Sequence, residues 1–344
     1  MKSNNQFDTF VALDMDQEGN YMMPQKIFIT RRIPDAGIQI LLNAGYDVEI
    51  YDKSEPLSHQ TLLEKVENVD AIISMLSERI DKEVIDHAKN LRVIANYAVG
   101  FNNIDIEYAL SKKIVVTNTP DVLTEATADL TWALILSVTK RIPEADQFVR
   151  SGQFKGWEPM LMLGDDVTDK TLGIIGAGRI GQAVGHRAQG FRMKILYYST
   201  SPKPEFERQT DARYCTPEEI MQSSDILTFH CPLNDQTKHL VNADNIFDIK
   251  KGAFIVNTSR GPIIEEKALA KALESGHLGG AGLDVYEFEP EVIPSLLSMK
   301  NVVLAPHIGS ATKQTRGAMA EMAANNVIAV LSGKKPNNPV NSFT

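Results

Sequence analysis

The sequence GIIGAGRIG, residues 173–181, decides the fold. It places Gly176, Gly178 and Gly181 in the spacing G-x-G-x-x-G, directly after a β-branched run and at the start of a helical pattern. In such a motif the first glycine permits a tight turn, the second lets the backbone approach a pyrophosphate, and the third allows close helix packing. The helix N-terminus then faces the anion, and Arg179 adds a positive charge nearby. The stretch predicts a Rossmann-type dinucleotide site; a glycine-rich turn without a ligand is the alternative.

Short β-branched runs alternate with helical patterns on both sides of this motif, which is typical of parallel sheets flanked by helices. The first series of predicted strands is 26–30, 47–51, 71–74 and 93–96, and the second is 171–175, 194–198, 226–230, 254–257, 281–285 and 302–305. We therefore expect two doubly wound α/β domains. The first is a substrate domain of residues 1–118, to which residues 312–344 return, and the second is a dinucleotide-binding domain of residues 119–311. Residues 1–22 show no periodicity and carry no predicted function.

Composition and charge narrow the class of protein. The 344 residues include 35 Lys and Arg against 44 Asp and Glu, a net charge of −9, and 43% are hydrophobic. An acidic chain without a basic block is not expected to bind nucleic acid or an anionic membrane. The longest near-apolar stretch, 130–138, is half of the about 20 residues that a membrane-spanning helix needs. The first 24 residues are acidic and lack an apolar run, so we expect a cytoplasmic protein.

Cysteine and histidine give no metal signature. Cys215 and Cys231 are too far apart for a CxxC site, and the seven histidines are scattered without an HExxH arrangement. No metal site is expected.

The end of the second strand of the Rossmann-type unit bears on the cofactor. An NAD site usually has an acid there for the ribose 2′-OH, whereas this sequence has Ser199, Thr200, Ser201 and, after a proline, Lys203. Hydroxyls and a lysine suit a 2′-phosphate. NADP is therefore favoured over NAD, and a polar loop with a solvated lysine is the alternative.

Three ionisable residues follow late strands of the second series, where open α/β sheets bind their ligands. Arg260 lies in NTSRG, Glu289 in GLDVYEFEPE and His307 in APHIGSAT. Each has an ordinary interpretation as a surface ion pair, an acidic-loop residue or a structural histidine. Together they supply a cation for a carboxylate, a proton donor for a carbonyl oxygen and a carboxylate that orients that donor. A nicotinamide would supply the hydride, so the set predicts reduction of a 2-keto acid.

These motifs, in this order and spacing from residue 26 onward, resemble the D-isomer-specific 2-hydroxyacid dehydrogenase family. SMLSERIDKEV, NYAVGFNNIDIE, VTNTPDVLTEATADL and GWEPMLMLGDD resemble in particular its glyoxylate and hydroxypyruvate reductase branch. The resemblance implies a flavodoxin-like substrate domain and a Rossmann dinucleotide-binding domain, with the active site in the cleft between them.

The resemblance also implies roles for individual residues. The family's catalytic triad falls on Arg260, Glu289 and His307, and the amides of Val99 and Gly100 would bind the substrate carboxylate. Asp284 matches the position that contacts the nicotinamide carboxamide. Substrate-shaping positions fall on Met75, Leu76 and Trp157. The implied cofactor-binding residues are Gly176, Gly178, Arg179, Ile180, Gly181, Ser199, Thr200, Ser201, Lys203, His230, Cys231, Pro232, Thr258, Ser259, Asp284 and Gly309. NADP-using members of this branch often have Arg where this chain has Thr200.

The predicted activity is NADPH- or NADH-dependent reduction of glyoxylate or hydroxypyruvate to the 2-hydroxy acid. The alternatives are a phosphite, 2-ketogluconate or phosphoglycerate dehydrogenase of the same family, or a dinucleotide-sensing interaction protein without enzymatic activity. The resemblance implies a homodimer joined through the nucleotide-binding domains, with the helix of residues 124–139 at the interface. That helix has more apolar residues than one face needs. A helix wholly buried between domains is the alternative.

Overall fold

A computed structural model describes residues 24–53 and 55–341, so the segment 1–22 lies outside the described residues. Contacts between Cα atoms divide the chain into two compact units. The first comprises the described residues up to Val122 together with those from Lys313 onward, and the second is Leu123–Thr312.

The first unit is a parallel five-stranded sheet covered by helices. Its strands are β1 (Lys26–Ile29), β2 (Asp47–Ile50), β3 (Ala71–Ser74), β4 (Val93–Asn96) and β5 (Val115–Thr117), and its first helices are α1 (Asp35–Asn43), α2 (His59–Val66), α3 (Lys82–His87) and α4 (Ile106–Ser111). The strand order is β2-β1-β3-β4-β5, which is the flavodoxin-like order. Every residue of β3 and β4 is buried, as expected for strands with helices on both faces. Ser74 pairs with Asn96, so the loops after β3 and β4 begin side by side.

The second unit is a parallel seven-stranded sheet. Its strands are β6 (Thr171–Ile175), β7 (Lys194–Tyr198), β8 (Arg213–Tyr214), β9 (Ile226–Phe229), β10 (Phe254–Asn257), β11 (Gly280–Leu283) and β12 (Val302–Leu304). The strand order is β12-β11-β10-β9-β6-β7-β8. Successive strands are added on one side of β6 and then on its other side, as in a Rossmann fold. The strand register brings the carboxyl ends of six strands to one edge: Tyr198, Ile175, Phe229, Asn257, Leu283 and Leu304. The expectation of two doubly wound α/β domains, one flavodoxin-like and one Rossmann, is confirmed.

Helices cover the second sheet on both faces, and a last helix belongs to the first unit. The helices from α5 onward are α5 (Thr124–Thr139), α6 (Ile142–Arg150), α7 (Arg179–Ala188), α8 (Pro204–Thr210), α9 (Pro217–Ser223), α10 (Glu266–Glu274), α11 (Pro294–Ser298) and α12 (Lys313–Leu331). Helix α12 packs against α1, where a side chain at Gly37 would overlap the backbone of Ala320. Across the described part of the chain, no helix combines the length and apolar character needed to cross a membrane.

Helix α5 contributes its apolar residues to the core of its own unit. Ala128, Leu134, Ile135 and Val138 are buried there, and Trp132 stacks on an aromatic ring at 4.6 Å and donates a hydrogen bond to a backbone carbonyl of α7. The apolar excess of this helix is therefore satisfied within one chain. It does not by itself support the predicted dimer contact.

Candidate active site

The glycine loop joins β6 to α7 in the conformation that the motif predicts. Gly176 has φ +101°, a region that favours glycine, and a side chain there would lie 2.6 Å from the carbonyl carbon of His230. A side chain at Gly181 would overlap the carbonyl oxygen of Gly176, whereas the space beside Gly178 is open. Helix α7 begins at Arg179, with Gly178 as a cap residue that has no side chain to offer. As at any helix start, the amides of its first turn have no acceptor within the helix, and such amides favour an anion. The loop thus fits a dinucleotide pyrophosphate.

The loop after β7 contains no carboxylate from residue 199 to residue 203. Ser199 is nearly buried, and its Oγ donates a hydrogen bond to the carbonyl of Ser201 at 2.6 Å. The Nζ of Lys203 lies 3.2 Å from the Oγ of Ser201, and Thr200 is exposed. The hydroxyls and the ammonium group therefore lie close together at the end of the strand.

His230 and Cys231 follow β9 and pack against the glycine loop. Neither ring nitrogen of His230 is hydrogen-bonded to any residue that the structure describes, although both nitrogens are shielded from solvent. Burial lowers the pKa of His230 to about 3 and raises the pKa of Cys231 to about 11, so both groups are neutral near pH 7. The backbone of His230 and Cys231 lies against Gly176, and the two ring nitrogens are buried polar atoms for which the described residues supply no partner.

Arg260 follows β10 on a loop that its neighbours fix. The side chain of Asn257 donates to the carbonyl of Arg260 at 2.9 Å and accepts from the amide of Ser259 at 3.0 Å. A side chain at Gly261 would overlap the backbone of Tyr286, so this glycine permits the loop to lie directly against the segment after β11. Burial lowers the pKa of Arg260 and the charge of Glu289 opposes that shift. An arginine stays charged under these conditions.

His307 and Glu289 form a hydrogen-bonded pair. The Nδ1 atom of His307 lies 2.9 Å from Oε2 of Glu289, and Oε1 of Glu289 accepts from the amide of Tyr286 at 3.1 Å. Burial alone would raise the pKa of Glu289. The hydrogen bond and charge of His307, the amide of Tyr286 and the charge of Arg260 outweigh burial and lower that pKa. The pair thus holds a carboxylate against one ring nitrogen and leaves Nε2 for a substrate.

Asp284 fixes the backbone that carries His307. Its carbonyl accepts from the amide of His307 at 2.9 Å, and its carboxylate oxygens accept from the amides of Ile308 at 2.7 Å and Gly309 at 2.8 Å. The backbone of His307 has φ +54°, a conformation that is unfavourable for residues other than glycine. These three hydrogen bonds hold the backbone in that conformation. Burial raises the pKa of Asp284. Each carboxylate oxygen retains a lone pair for a further donor, as the implied contact with a carboxamide requires.

Glu266 and Glu287, which the sequence analysis did not identify, form reciprocal hydrogen bonds that fix the segment containing Glu289. The amide of Glu266, at the start of α10, donates to Glu287 at 3.0 Å, and the amide of Glu287 donates to Glu266 at 2.6 Å. His239 contributes a further contact of 2.7 Å to Glu287. The sequence signal was weak, because a glutamate at a helix start ordinarily faces solvent.

The substrate-shaping positions differ in their surroundings. In the first unit Met75 and Leu76 follow β3 and are partly buried, and Val99 and Gly100 follow β4. Trp157, in the second unit, lies between α6 and β6 with 83% of its surface exposed. One group of possible metal ligands occurs among the described residues, the surface cluster His59, Asp81 and Glu83 at the starts of α2 and α3.

Comparison with known proteins decides the family. The model for the NAD-binding domain of D-isomer-specific 2-hydroxyacid dehydrogenases matches residues 132–309. The chain belongs to this family. A glyoxylate reductase of Thermococcus kodakarensis is 50% identical over 323 residues, which are 93% of this chain and 97% of that protein.

Solved structures of the family agree in fold with this D-2-hydroxyacid dehydrogenase. A protein of Thermus thermophilus superimposes with a TM-score of 0.87 at 43% identity, over 92% of this chain and 100% of the other. An NADPH-dependent glyoxylate/hydroxypyruvate reductase from Sinorhizobium meliloti, solved with NADP and malonate, gives 0.83 at 31% identity over 92% and 97%. The protein is therefore an NAD(P)-dependent oxidoreductase, and the family named from the motifs is confirmed.

Proposed function

We propose that this dehydrogenase reduces glyoxylate or hydroxypyruvate to the 2-hydroxy acid. The observation that carries the proposal is the His307–Glu289 pair at 2.9 Å, which lies at the same sheet edge as Arg260 and the glycine loop. The glyoxylate reductases and the glyoxylate/hydroxypyruvate reductase among its relatives support this choice of substrate.

The proposed chemistry divides among the three side chains. Arg260 grips the substrate carboxylate with its planar fork. When bound, the reduced nicotinamide supplies the hydride to the carbonyl carbon. His307, protonated and oriented through Nδ1 by Glu289, gives the proton on Nε2 to the carbonyl oxygen and is left neutral. In the opposite direction the same nitrogen takes the proton from the hydroxyl group.

The first unit is proposed to contribute backbone amides. Val99 and Gly100 offer theirs to the substrate carboxylate, since a small anion is well matched to successive N–H groups. Met75 and Leu76 shape the space for the rest of the substrate.

The cofactor is proposed to be NADP in preference to NAD. The absence of a carboxylate from Ser199 to Lys203 removes the group that would repel a 2′-phosphate. Gly176, Gly178, Arg179, Ile180 and Gly181 would hold the pyrophosphate. The remaining positions in this proposal are Thr200, Ser201, His230, Cys231, Pro232, Thr258, Ser259, Asp284 and Gly309.

A second copy of the chain is the proposed partner, and a segment besides α5 offers it an apolar surface. We define the apolar arm as residues 142–163; α6, which it includes, has no buried residue. The arm exposes six large apolar side chains: Ile142, Val149, Phe154, Trp157, Met160 and Leu163. Such a concentration of apolar surface is typical of a protein interface. The cytoplasm remains the predicted compartment.

The oligomer can be tested by light scattering after size exclusion. The wild type should elute at twice the chain mass, and the double substitution Trp157→Arg with Met160→Arg should elute as a monomer. Phe247→Arg, which places the same charge at a half-exposed apolar position outside the arm, should remain a dimer. A monomeric wild type, or a dimeric double variant, would contradict the arm as the interface.

Initial rates test the activity. Glyoxylate, hydroxypyruvate, pyruvate and 2-ketogluconate are each supplied with NADPH and with NADH, and phosphite and 3-phosphoglycerate with the oxidised cofactors. The highest kcat/KM should belong to glyoxylate or hydroxypyruvate. A preference for phosphite, 2-ketogluconate or phosphoglycerate would reject the proposed substrate, and no turnover with any of them would favour a dinucleotide-sensing protein.

A further inference from the structure

Three asparagine side chains donate hydrogen bonds to backbone carbonyl groups in the loops after β3 and β4. Asn118 donates through Nδ2 to the carbonyl of Val99 at 2.8 Å, and Asn96 donates to that of Gly100 at 2.7 Å. Asn103 donates to the carbonyl of Met75 at 3.0 Å. All of these residues belong to the first unit, so the arrangement is complete within it.

Fixing a carbonyl also fixes the amide of the next residue. In a trans peptide the C=O and the following N–H point in opposite directions. The bonds to the carbonyls of Val99 and Met75 therefore direct the amides of Gly100 and Leu76 away from the asparagines. The amide of Thr119 donates to the carbonyl of Ala98, the residue before Val99, at 2.9 Å. This bond orients the amide of Val99 in the same way.

The amides that are oriented in this way have no hydrogen-bond acceptor among the described residues. The N–H groups of Leu76, Val99 and Gly100 make no hydrogen bond to any residue within 24–53 and 55–341. The three residues are only partly buried, so a ligand can reach them. Oriented N–H groups without acceptors suit an anion, as a carboxylate is.

Asn103 links the two loops. Its Nδ2 also lies 3.1 Å from the carbonyl of Glu78, and it approaches Oδ1 of Asn96 at 3.4 Å. Asn96 is fully buried and accepts from Ser74 at 3.1 Å. One side chain thus contacts the loop that holds Leu76 and the residue that holds Gly100.

The loop on the β3 side has a second anchor. Glu78 is buried, and its Oε2 accepts from the amide of Met75 and from the hydroxyl of Thr30, both at 2.7 Å. Its Oε1 accepts from Ser77 at 2.5 Å. Glu78 thus holds the amide of Met75, whereas the carbonyls of Met75 and Glu78 accept from Asn103.

We propose that Asn103 is a positioning residue for substrate binding: it holds the amides of Leu76 and Gly100 in one geometry for the carboxylate of the 2-keto acid. This inference rests on the proposed function. Asn103 does not touch the reacting atoms. It acts on affinity for the carboxylate in the ground state and the transition state alike, so its loss raises KM and leaves kcat nearly unchanged.

The test compares Asn103→Ala with Asn341→Ala. Asn341 is a buried residue of the same unit that makes two hydrogen bonds to the backbone of β5 and the residue before it, at Val116 and Ile114. Asn103→Ala should raise KM for glyoxylate by about 10-fold, the worth of roughly one hydrogen bond, with kcat and KM for NADPH within about 2-fold of wild type. Asn341→Ala should leave all three constants unchanged. If Asn103→Ala does not fold, Asn103→Ser, which keeps one donor, should show the same pattern with a smaller rise.

Calorimetric titration with oxalate, a dicarboxylate that is not turned over, in the presence of NADP⁺ separates this inference from the proposed function. Wild-type enzyme should bind oxalate and Asn103→Ala should bind it about 10-fold more weakly. That result would support Asn103 even if no 2-keto acid were reduced. An unchanged KM and oxalate affinity, or a loss of kcat and NADPH binding equal to the rise in KM, would overturn the proposal.

Discussion

The Nδ1 atom of His307 lies 2.9 Å from the Oε2 atom of Glu289, across 18 residues of sequence. Neither residue can easily leave this arrangement, since the backbone of His307 is held by Asp284 and the second oxygen of Glu289 accepts from Tyr286. The imidazole is thereby oriented with Nε2 as its remaining hydrogen-bonding atom. This geometry suits a proton donor with a fixed direction.

His307→Gln should lower kcat for glyoxylate reduction by about 100-fold or more, because glutamine cannot transfer a proton while its amide keeps a similar size and polarity. NADPH affinity should stay within about 2-fold, since the change removes no cofactor contact in this proposal. Steady-state kinetics and fluorescence titration with NADPH measure the two quantities. Near-normal turnover would remove His307 from the mechanism.

Glu289→Gln should move the pH profile of reduction toward acid. The lowered pKa of Glu289 means that its carboxylate is charged at neutral pH, and that its support for an imidazolium is lost only as the pH falls through that lowered pKa. In the variant a neutral carboxamide replaces this carboxylate at every pH, so the negative charge that favours a positive ring is absent and the profile of reduction moves toward acid. The check is kcat/KM for glyoxylate measured from about pH 5 to about pH 9. A profile that superimposes on the wild type would contradict the pairing.

Arg260→Lys should raise KM for the keto acid and also lower kcat, each by about 10-fold. Lysine keeps the charge but loses the planar fork that binds a carboxylate at two points and sets its orientation. Kinetics with glyoxylate at saturating NADPH give both constants. If only KM for NADPH rose, Arg260 would be a cofactor residue.

The glycine loop and the triad could be predicted from the sequence because each is a short local pattern at the end of a buried strand. Gly176 and His307 are examples: both follow apolar runs, and register alone then brings them to one edge of the sheet. Helix α7 begins at Arg179, inside the glycine motif, because Gly178 serves as its cap.

What could not be predicted depends on partners that are distant in sequence. Strand β8 is only two residues, Arg213–Tyr214, and its pairing with β7 defines it. Asn103 lies 28 residues from its acceptor in Met75, and asparagine in a loop usually indicates only a turn. The reciprocal bonds of Glu266 and Glu287 raise the same difficulty, because their sequence gives no sign that Glu266 is buried.

Ser199→Asp should shift cofactor selectivity toward NADH. Ser199 lies at the end of β7, where a carboxylate would accept hydrogen bonds from the 2′-OH of NADH and repel the 2′-phosphate of NADPH. Each charge-assisted hydrogen bond is worth about 1.5–3 kcal/mol, so the ratio of kcat/KM for NADPH to that for NADH should fall by at least about 10-fold. Lys203→Ala should act in the same direction by less, because a flexible lysine is a partly screened point charge.

The control for this prediction is Ser199→Ala, which removes the bond to the carbonyl of Ser201 without adding charge. It should change the NADPH-to-NADH ratio less than Ser199→Asp, because the repulsion requires the carboxylate and not merely the loss of a hydroxyl. If the wild type already prefers NADH and Ser199→Asp leaves the ratio unchanged, the loop from Ser199 to Lys203 does not contact the 2′ position. The missing acid would then say nothing about the cofactor, and the loop would be a polar turn.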